Sequence, residues 1–269
     1  MVFNTGETSE ELRNKYNPDG SLLRKAQLRM LDMLLYIDKI CRQEKIPYRI
    51  SGGNVLGAIR HNGFIPWDDD IDIVLLRKDC RKLCRYLKKH PHPQYVIQTF
   101  GTDYGYVGAW PVLRDTKSEY IQDSRLHNAR KYRGLQVDIF PCETRVIPFF
   151  YRISSLITTA NHKWIVGRCT FMARIIYIIQ YYILHPFFRF FGICIGDRNI
   201  YRHSYGANFK FKHTKEALYP FKPIKFEGYE FSGPASPDLY CKEHYGEKYM
   251  NLPNIDSRNY HQATYIIED

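Results

Sequence analysis

Residues 63–72 read GFIPWDDDID, and the apolar run IVLL follows at once. Asp68, Asp69, Asp70 and Asp72 crowd four like charges against a segment that reads as a buried strand over 71–76, an arrangement that destabilises a fold unless something neutralises it. On a strand, Asp70 and Asp72 share one face while Ile71 and Ile73 take the other. Two carboxylates about 6–7 Å apart along such a strand can converge on one divalent cation, and a hard ion such as Mg²⁺ or Mn²⁺ keeps positions open for phosphate. A solvated acidic turn after Pro66 accounts for Asp68 and Asp69, but not for an acid alternating with isoleucine inside a strand. Asp70 and Asp72 are therefore expected as metal ligands.

Two other stretches complete the pattern. Ser51, Gly52, Gly53 and Asn54 stand at a strand-to-helix junction some 17 residues upstream, where backbone amides and a helix N-terminus favour an anion. Alone, such a pair of glycines marks only a tight turn. Ahead of a two-carboxylate strand it reads as a phosphate cradle facing a metal. Downstream, VDIF places Asp138 between Val137 and Ile139 on another strand, either as a satisfied core acid or as a third ligand able to act as general base on a hydroxyl. Arg60 and His61, just past the cradle, and Arg114 on WPVLRD are candidate phosphate contacts, with Arg60 favoured by position. Trp67, Tyr104, Tyr106, Trp110 and Tyr120 could form a cage for a quaternary ammonium group.

Around this centre, Ser21 caps an amphipathic helix carrying Leu22, Ala26, Met30, Leu34, Ile37 and Cys41 at helical spacing, ending before Pro47. YRIS, IDIVLL, QYVIQTF, WPVLRD and GLQVDIF read as strands; NVLGAIRHN, stopped by Gly63, and KDCRKLCRYLKKH read as helices. IKFEGYEFSG reads as a hairpin turning at Glu227 and Gly228, and SPDLYCKEHYG as a helix between Ser236 and Gly246. The alternation predicts an α+β fold, a mixed sheet flanked by helices. Residues 1–20 form an N-terminal extension, 21–142 the catalytic core, 143–220 a helical apolar insertion and 221–269 the C-terminal part of the catalytic domain.

From Val146 to Ile195 the chain is apolar and aromatic with scattered Arg and Lys. Its longest uncharged run, Ile175 to Phe188, has 14 residues, short of the roughly 20 that span a bilayer. It is either a helical subdomain with its own core or a helical pair resting on a membrane surface.

The chain has 269 residues, 44% hydrophobic and 15% aromatic, enough for a substantial core, with a net charge of +11 that favours anionic partners without choosing among them. No nucleic-acid-binding signature accompanies that charge, so a nucleic-acid partner is not expected. Seven cysteines without framework spacing and a polar N-terminus lacking an apolar leader predict reduced thiols and a location in the cytoplasm or peripheral on the cytoplasmic face of the inner membrane. Cys80 and Cys84 with His90 and His92 could suggest zinc, but one-turn spacing in a basic amphipathic segment favours a half-buried helix face.

SGGNVLGAIRHNGFIPWDDDIDI, VDIFP at 137–141 and the closing YGEKYMNLP with Arg258 and His261 resemble the signatures of the LicD family of phosphocholine transferases. The resemblance implies a polymerase-β-type nucleotidyltransferase fold with Gly52-Gly53, Asp70 with Asp72, and Asp138 in the active site. It also implies transfer of a phospho-alcohol, foremost phosphocholine, from a CDP-linked donor to a sugar hydroxyl of a cell-surface glycan, with release of CMP. The donor would be CDP-choline and the acceptor lipid-linked; phosphoethanolamine, phosphoribitol or phosphoglycerol remain open as the transferred group. Asn54 stands where threonine is common in the family and Arg114 where lysine is expected.

Overall fold

The computed structural model describes residues 3–121, 124–209, 211–258 and 264–268. The strands are β1 (Arg49–Ile50), β2 (Asp72–Leu76), β3 (Tyr95–Gln98), β4 (Val112–Asp115), β5 (Ser118–Ile121), β6 (Gln136–Thr144), β7 (Ile200–His203), β8 (Lys212–Thr214), β9 (Lys222–Phe226), β10 (Tyr229–Gly233) and β11 (Thr264–Ile267). The helices are α1 (Ser9–Tyr16), α2 (Leu22–Gln43), α3 (Gly53–His61), α4 (Arg77–Lys89), α5 (Arg125–Asn128), α6 (Pro148–Ala160), α7 (Thr170–Ile179), α8 (His185–Ile195), α9 (Lys215–Leu218) and α10 (Pro237–Tyr245). The α+β expectation holds.

The main sheet has seven strands in the order β1-β2-β6-β4-β3, with β7 joined to β6 and β8 to β7. Among the described residues of this sheet only β2 and β6 pair in parallel; the other pairings are antiparallel. The long strand β6 serves three partners, β2 along one edge and β4 then β7 along the other. This sharing curls the sheet and places the N-terminal end of β6, with Asp138, at the open end of β2.

α2 packs across the sheet as its spacing predicts, with Ser21 accepting a hydrogen bond from the Arg24 amide and Ala26, Met30, Leu34, Ile37 and Cys41 buried. Leu22 stays exposed while Leu23 turns inward. Ile71 and Ile73 are fully buried, as the parity argument requires, although the strand proper starts at Asp72. α3 ends at Asn62, which takes the left-handed conformation one residue before Gly63. The hairpin turns at Glu227 and Gly228, and α10 runs from its Ser236 cap to Gly246, both as predicted.

Two features escape the sequence reading. Residues 1–20 contain α1, held by a capping box between Thr8 and Glu11, and its Leu12 and Tyr16 join the main core. β5 pairs with β11 near the chain's end, a pairing with no local turn signal to reveal it. Cys80 is buried and Cys84 half-buried on α4, and among the described residues no three His, Cys, Asp or Glu side chains stand ready to enclose an ion.

Candidate active site

β2 and β6 are in register with Asp72 opposite Asp138, so the two carboxylates of neighbouring parallel strands stand side by side at the sheet's end. Asp70 precedes the strand and faces the same region: burial, then the charges of Asp70, Asp138 and Asp68, push the Asp72 carboxyl well above its ordinary range. Burial also raises Asp138, against the pull of a hydrogen bond from Trp110 and the charges of Arg114 and Arg130. Trp110 Nε1 donates to Asp138 Oδ1 at 2.8 Å and Gln136 Nε2 to Oδ2 at 2.7 Å, which fixes the carboxylate while leaving each oxygen another lone pair. Asp72 and Asp138 thus stand side by side with the charge of Asp70 close to them, while among the described residues no three such side chains are grouped tightly enough to enclose an ion.

The turn at 51–54 holds them from beneath. Asn54 bridges the acidic segment, its Nδ2 donating to the Asp70 carbonyl at 3.2 Å and its Oδ1 accepting from the Asp72 amide at 2.7 Å. Gly52 has φ +56° and lies so close to Asp72 that a Cβ would stand 3.0 Å from Oδ2; at Gly53 a Cβ would stand 2.5 Å from Asp68 Oδ2. Backbone and approach both favour glycine at Gly52, and the approach alone at Gly53. The Gly52 amide donates to the Tyr240 hydroxyl at 2.8 Å, and Ser51 Oγ lies 2.9 Å from the same oxygen. Ser51 and the Gly52 amide are thereby committed to α10, and the glycines give room to carboxylates.

Above the acids is a cavity of about 260 Å³ whose walls include Asp69, Asp70 and Asp138, the rings of Tyr106, Trp110 and Tyr120, and Arg114 and Arg130. Arg114 is almost wholly buried, donating to Gln98 Oε1 and the Gly134 carbonyl, and its Nη2 finds no hydrogen-bond partner among the described residues. Of the five aromatics suggested for a cage, Tyr106, Trp110 and Tyr120 are here. Trp67 instead packs on Tyr16 and under Arg258, and Tyr104 lies exposed against Arg174.

Arg60 does not point to this cavity. Its Nη1 donates to the carbonyls of Tyr249 and Asn251, both at 3.1 Å, and its Nε to His61. Burial and the Arg60 charge lower the His61 imidazole to about 3, so it accepts as a neutral ring. The expectation that Arg60 grips a phosphate finds no support in this geometry; it ties α3 to the C-terminal segment. Arg258 acts similarly from the other end, stacked over Trp67 and paired with Glu7 at 2.7 Å. His261 lies outside the described residues.

The Arg258 pair carries a pH prediction. Hydrogen bonds from Arg258 and Thr5 lower Glu7 to about 2 from an ordinary 4.5. A lowered carboxyl stabilises the fold above its unfolded value, and that stabilisation fades as pH falls from about 4.5 towards 2. Acid unfolding curves of the wild type and Glu7→Gln should therefore separate above pH 4.5 and converge near 2.

A family model described as LicD/FKTN/FKRP, nucleotidyltransferase domain, matches residues 45–178. The lipopolysaccharide cholinephosphotransferase LicD of Haemophilus influenzae is 26% identical over 91% of this chain and 98% of its own length. An uncharacterized Rickettsia prowazekii protein is 32% identical over 33% of this chain and 32% of its own, and one of Rickettsia typhi 36% over 20% and 18%. The chain belongs to the LicD family.

The LicD family match takes in the Gly52 turn, all three acids and the arginine-lined cavity wall. It leaves out Glu227, Tyr240 and Arg258, through which the C-terminal part buttresses the site. Sequence reasoning missed Arg130, Gln136 and Tyr240. Gln136 was accessible in principle, two residues before Asp138 on the same strand face; Arg130 and Tyr240 are brought in by tertiary contacts with no local signal.

Proposed function

We propose that this LicD family member transfers phosphocholine from CDP-choline to a sugar hydroxyl of lipopolysaccharide and releases CMP. The acceptor class and transferred group follow the name of the Haemophilus relative, which aligns over nearly its whole length. The observation that carries the reading is the cavity itself, which acids, aromatic rings and arginines line together.

Asp138 accepts the proton of the attacking hydroxyl; burial raises its carboxyl above the ordinary value, which makes it a stronger proton acceptor. The hydroxyl oxygen bonds to the phosphorus bearing choline, the bond from that phosphorus to CMP breaks, and the electron pair leaves on CMP. Arg130, aided by Arg114, balances charge on the transferring phosphoryl oxygens. The rings of Trp110 and Tyr120, beside Asp69 and Asp70, receive the trimethylammonium group.

Asp70, Asp72 and Asp138 offer the carboxylate oxygens a hard divalent cation takes, and they would have to draw together to enclose one, since among the described residues no three such side chains form a ready site as they stand; Asp72 is held at a potential that disfavours its own ionisation. Mg²⁺ or Mn²⁺ there would relieve the repulsion and draw in the donor's diphosphate. The same arrangement in a nucleotidyltransferase-like fold accounts for the glycine turn beneath the acids.

Purified protein incubated with Mg²⁺, lipopolysaccharide and a panel of CDP-alcohols should release CMP fastest with CDP-choline. Release of pyrophosphate from nucleoside triphosphates, without CMP from any CDP-alcohol, overturns the reading. Trp110→Phe should raise KM for CDP-choline by a few-fold and Trp110→Ala by about thirtyfold, through loss of ring face. If both variants handle CDP-choline and CDP-glycerol with the wild-type preference, Trp110 does not recognise the alcohol.

A further inference from the structure

The segment from Pro148 to Ile195 buries a polar cluster and leaves many of its large apolar side chains exposed. α6 continues through a π-turn to Ile165, and α7 and α8 are joined by a second π-turn at Gln180–Leu184 into one helix, Thr170–Ile195, of 26 residues. Where these two helices meet, a polar cluster is buried beside the stacked rings of Phe150 and Phe188: Ser154, Thr158 and Asn161 face Gln180 and His185, all at most 5% exposed. Gln180 Nε2 donates to Thr158 Oγ1 and Ser154 Oγ, Ser154 Oγ lies 2.8 Å from His185 Nε2, and Asn161 Nδ2 donates to the Ala173 carbonyl.

The outer face is apolar. Ile183, Phe187, Phe190 and Ile193 follow one another at three- and four-residue spacing and are 53–65% exposed. Phe149 and Leu156 of α6 are exposed likewise. A helix pair surrounded by water places polar groups outside and apolar groups within; a helix pair in lipid hides its polar groups between the helices.

The long helix passes the length and composition test for a membrane span, and the uncharged run of 14 residues is only its middle. Its attachments exclude a crossing. Near one end Arg174 donates to the carbonyls of Phe100 and Tyr104; near the other Arg189 pairs with Glu143 at 2.8 Å. Both ends are thus fastened to the same globular body, and the helix lies along it.

The charge beside this face has one sign. Residues 145–202 hold eight Arg or Lys and one acid, Asp197. α4 adds seven Arg or Lys against Asp79, and its Arg81, Arg85 and Lys88 share a cavity wall with Tyr181 and Tyr182 of the second π-turn. A second copy docked here would set basic bank against basic bank.

We infer that the outer face of 148–195 lies in the plane of an anionic lipid surface, its aromatic and aliphatic side chains in the acyl boundary and the α4 arginines on the headgroups. This inference stands independently of the transferase reading, and it gives the enzyme two dimensions in which to meet a lipid-linked substrate.

Flotation of the full chain with vesicles tests it. The wild type should float with phosphatidylcholine vesicles containing about a third phosphatidylglycerol and float less with phosphatidylcholine alone. Ile183→Ser/Phe187→Ser/Phe190→Ser should lower partitioning by about a hundredfold with an unchanged thermal melt. Arg81→Glu/Arg85→Glu should abolish the preference for anionic vesicles. Wild-type protein that stays in solution overturns the inference, as does a triple variant that floats like the wild type. So does a dimer in light scattering that the triple variant dissociates without any flotation. Should the triple variant fail to fold, the charge variant decides: a retained anionic preference counts against the lipid surface.

Discussion

Asp72→Asn should abolish turnover, by at least about a thousandfold, and at the same time make the ligand-free protein more stable. The two effects share one cause. Asp72 is half-buried beside Asp70, Asp138 and Asp68, and each of these raises its carboxyl. A carboxyl raised by folding binds its proton more tightly in the folded than in the unfolded chain. Stability therefore falls as pH rises from the ordinary carboxyl range through the raised value. As pH rises above the ordinary carboxyl range the wild type bears this cost, and asparagine, which cannot ionise, does not. The gain should be on the order of 1 kcal/mol, seen as a higher melting temperature at pH 7 that narrows towards pH 4. Mg²⁺ should raise the wild-type melting temperature and leave that of Asp72→Asn nearly unchanged, since one ligand is gone. If Asp72→Asn melts below the wild type in EDTA, the carboxylates are satisfied without a cation. If the variant turns over normally, the assignment of the site fails.

What made this site legible was parity and punctuation. An acid alternating with buried isoleucines can be placed on a face without any tertiary knowledge, and the register of Asp72 with Asp138 then brings together what the sequence separates by 65 residues. Glycine was informative for the same reason: Gly52 occupies a backbone region that other residues resist. Arginine was not. Arg60 and Arg114 have the same charge and comparable burial, yet one serves a loop and the other faces the acids. A long side chain reaches in several directions, and only packing decides among them. Arg24 makes the point on α2: it lies off the apolar line of that helix, yet it is buried because its partner arrives from a hairpin about 200 residues later. Polar clamps of this kind are matched in space, so neither half announces itself.

That clamp should be the most sensitive single point in the fold. Glu227, at the tip of the hairpin with φ +50°, accepts from Arg24 Nη2 at 2.6 Å and from the Phe64 amide at 3.0 Å. Gly63 leaves room for it, and a Cβ there would collide with the Glu227 carboxylate. The GFIPWDDD segment is thereby fastened at its first residues, while Gln27 of α2 holds the Asp68 carbonyl at 2.8 Å. Glu227→Ala would leave a buried guanidinium and a buried amide without their acceptor, a loss of about 3–5 kcal/mol by urea unfolding. Glu227→Gln keeps an acceptor for Phe64 and should cost less than half as much. The loss in Glu227→Ala is mainly the penalty of an unpaired buried charge rather than the worth of the pair, so Arg24→Leu added to Glu227→Ala should restore part of the stability. Turnover should fall in the single variant even where it remains folded, because the loop that carries Asp68 to Asp70 loses its fixed start. A Glu227→Ala protein with the wild-type unfolding midpoint would show that the hairpin merely rests against the acidic loop; a destabilised protein with full activity would show that α2 and Asn54 suffice to hold the carboxylates in place.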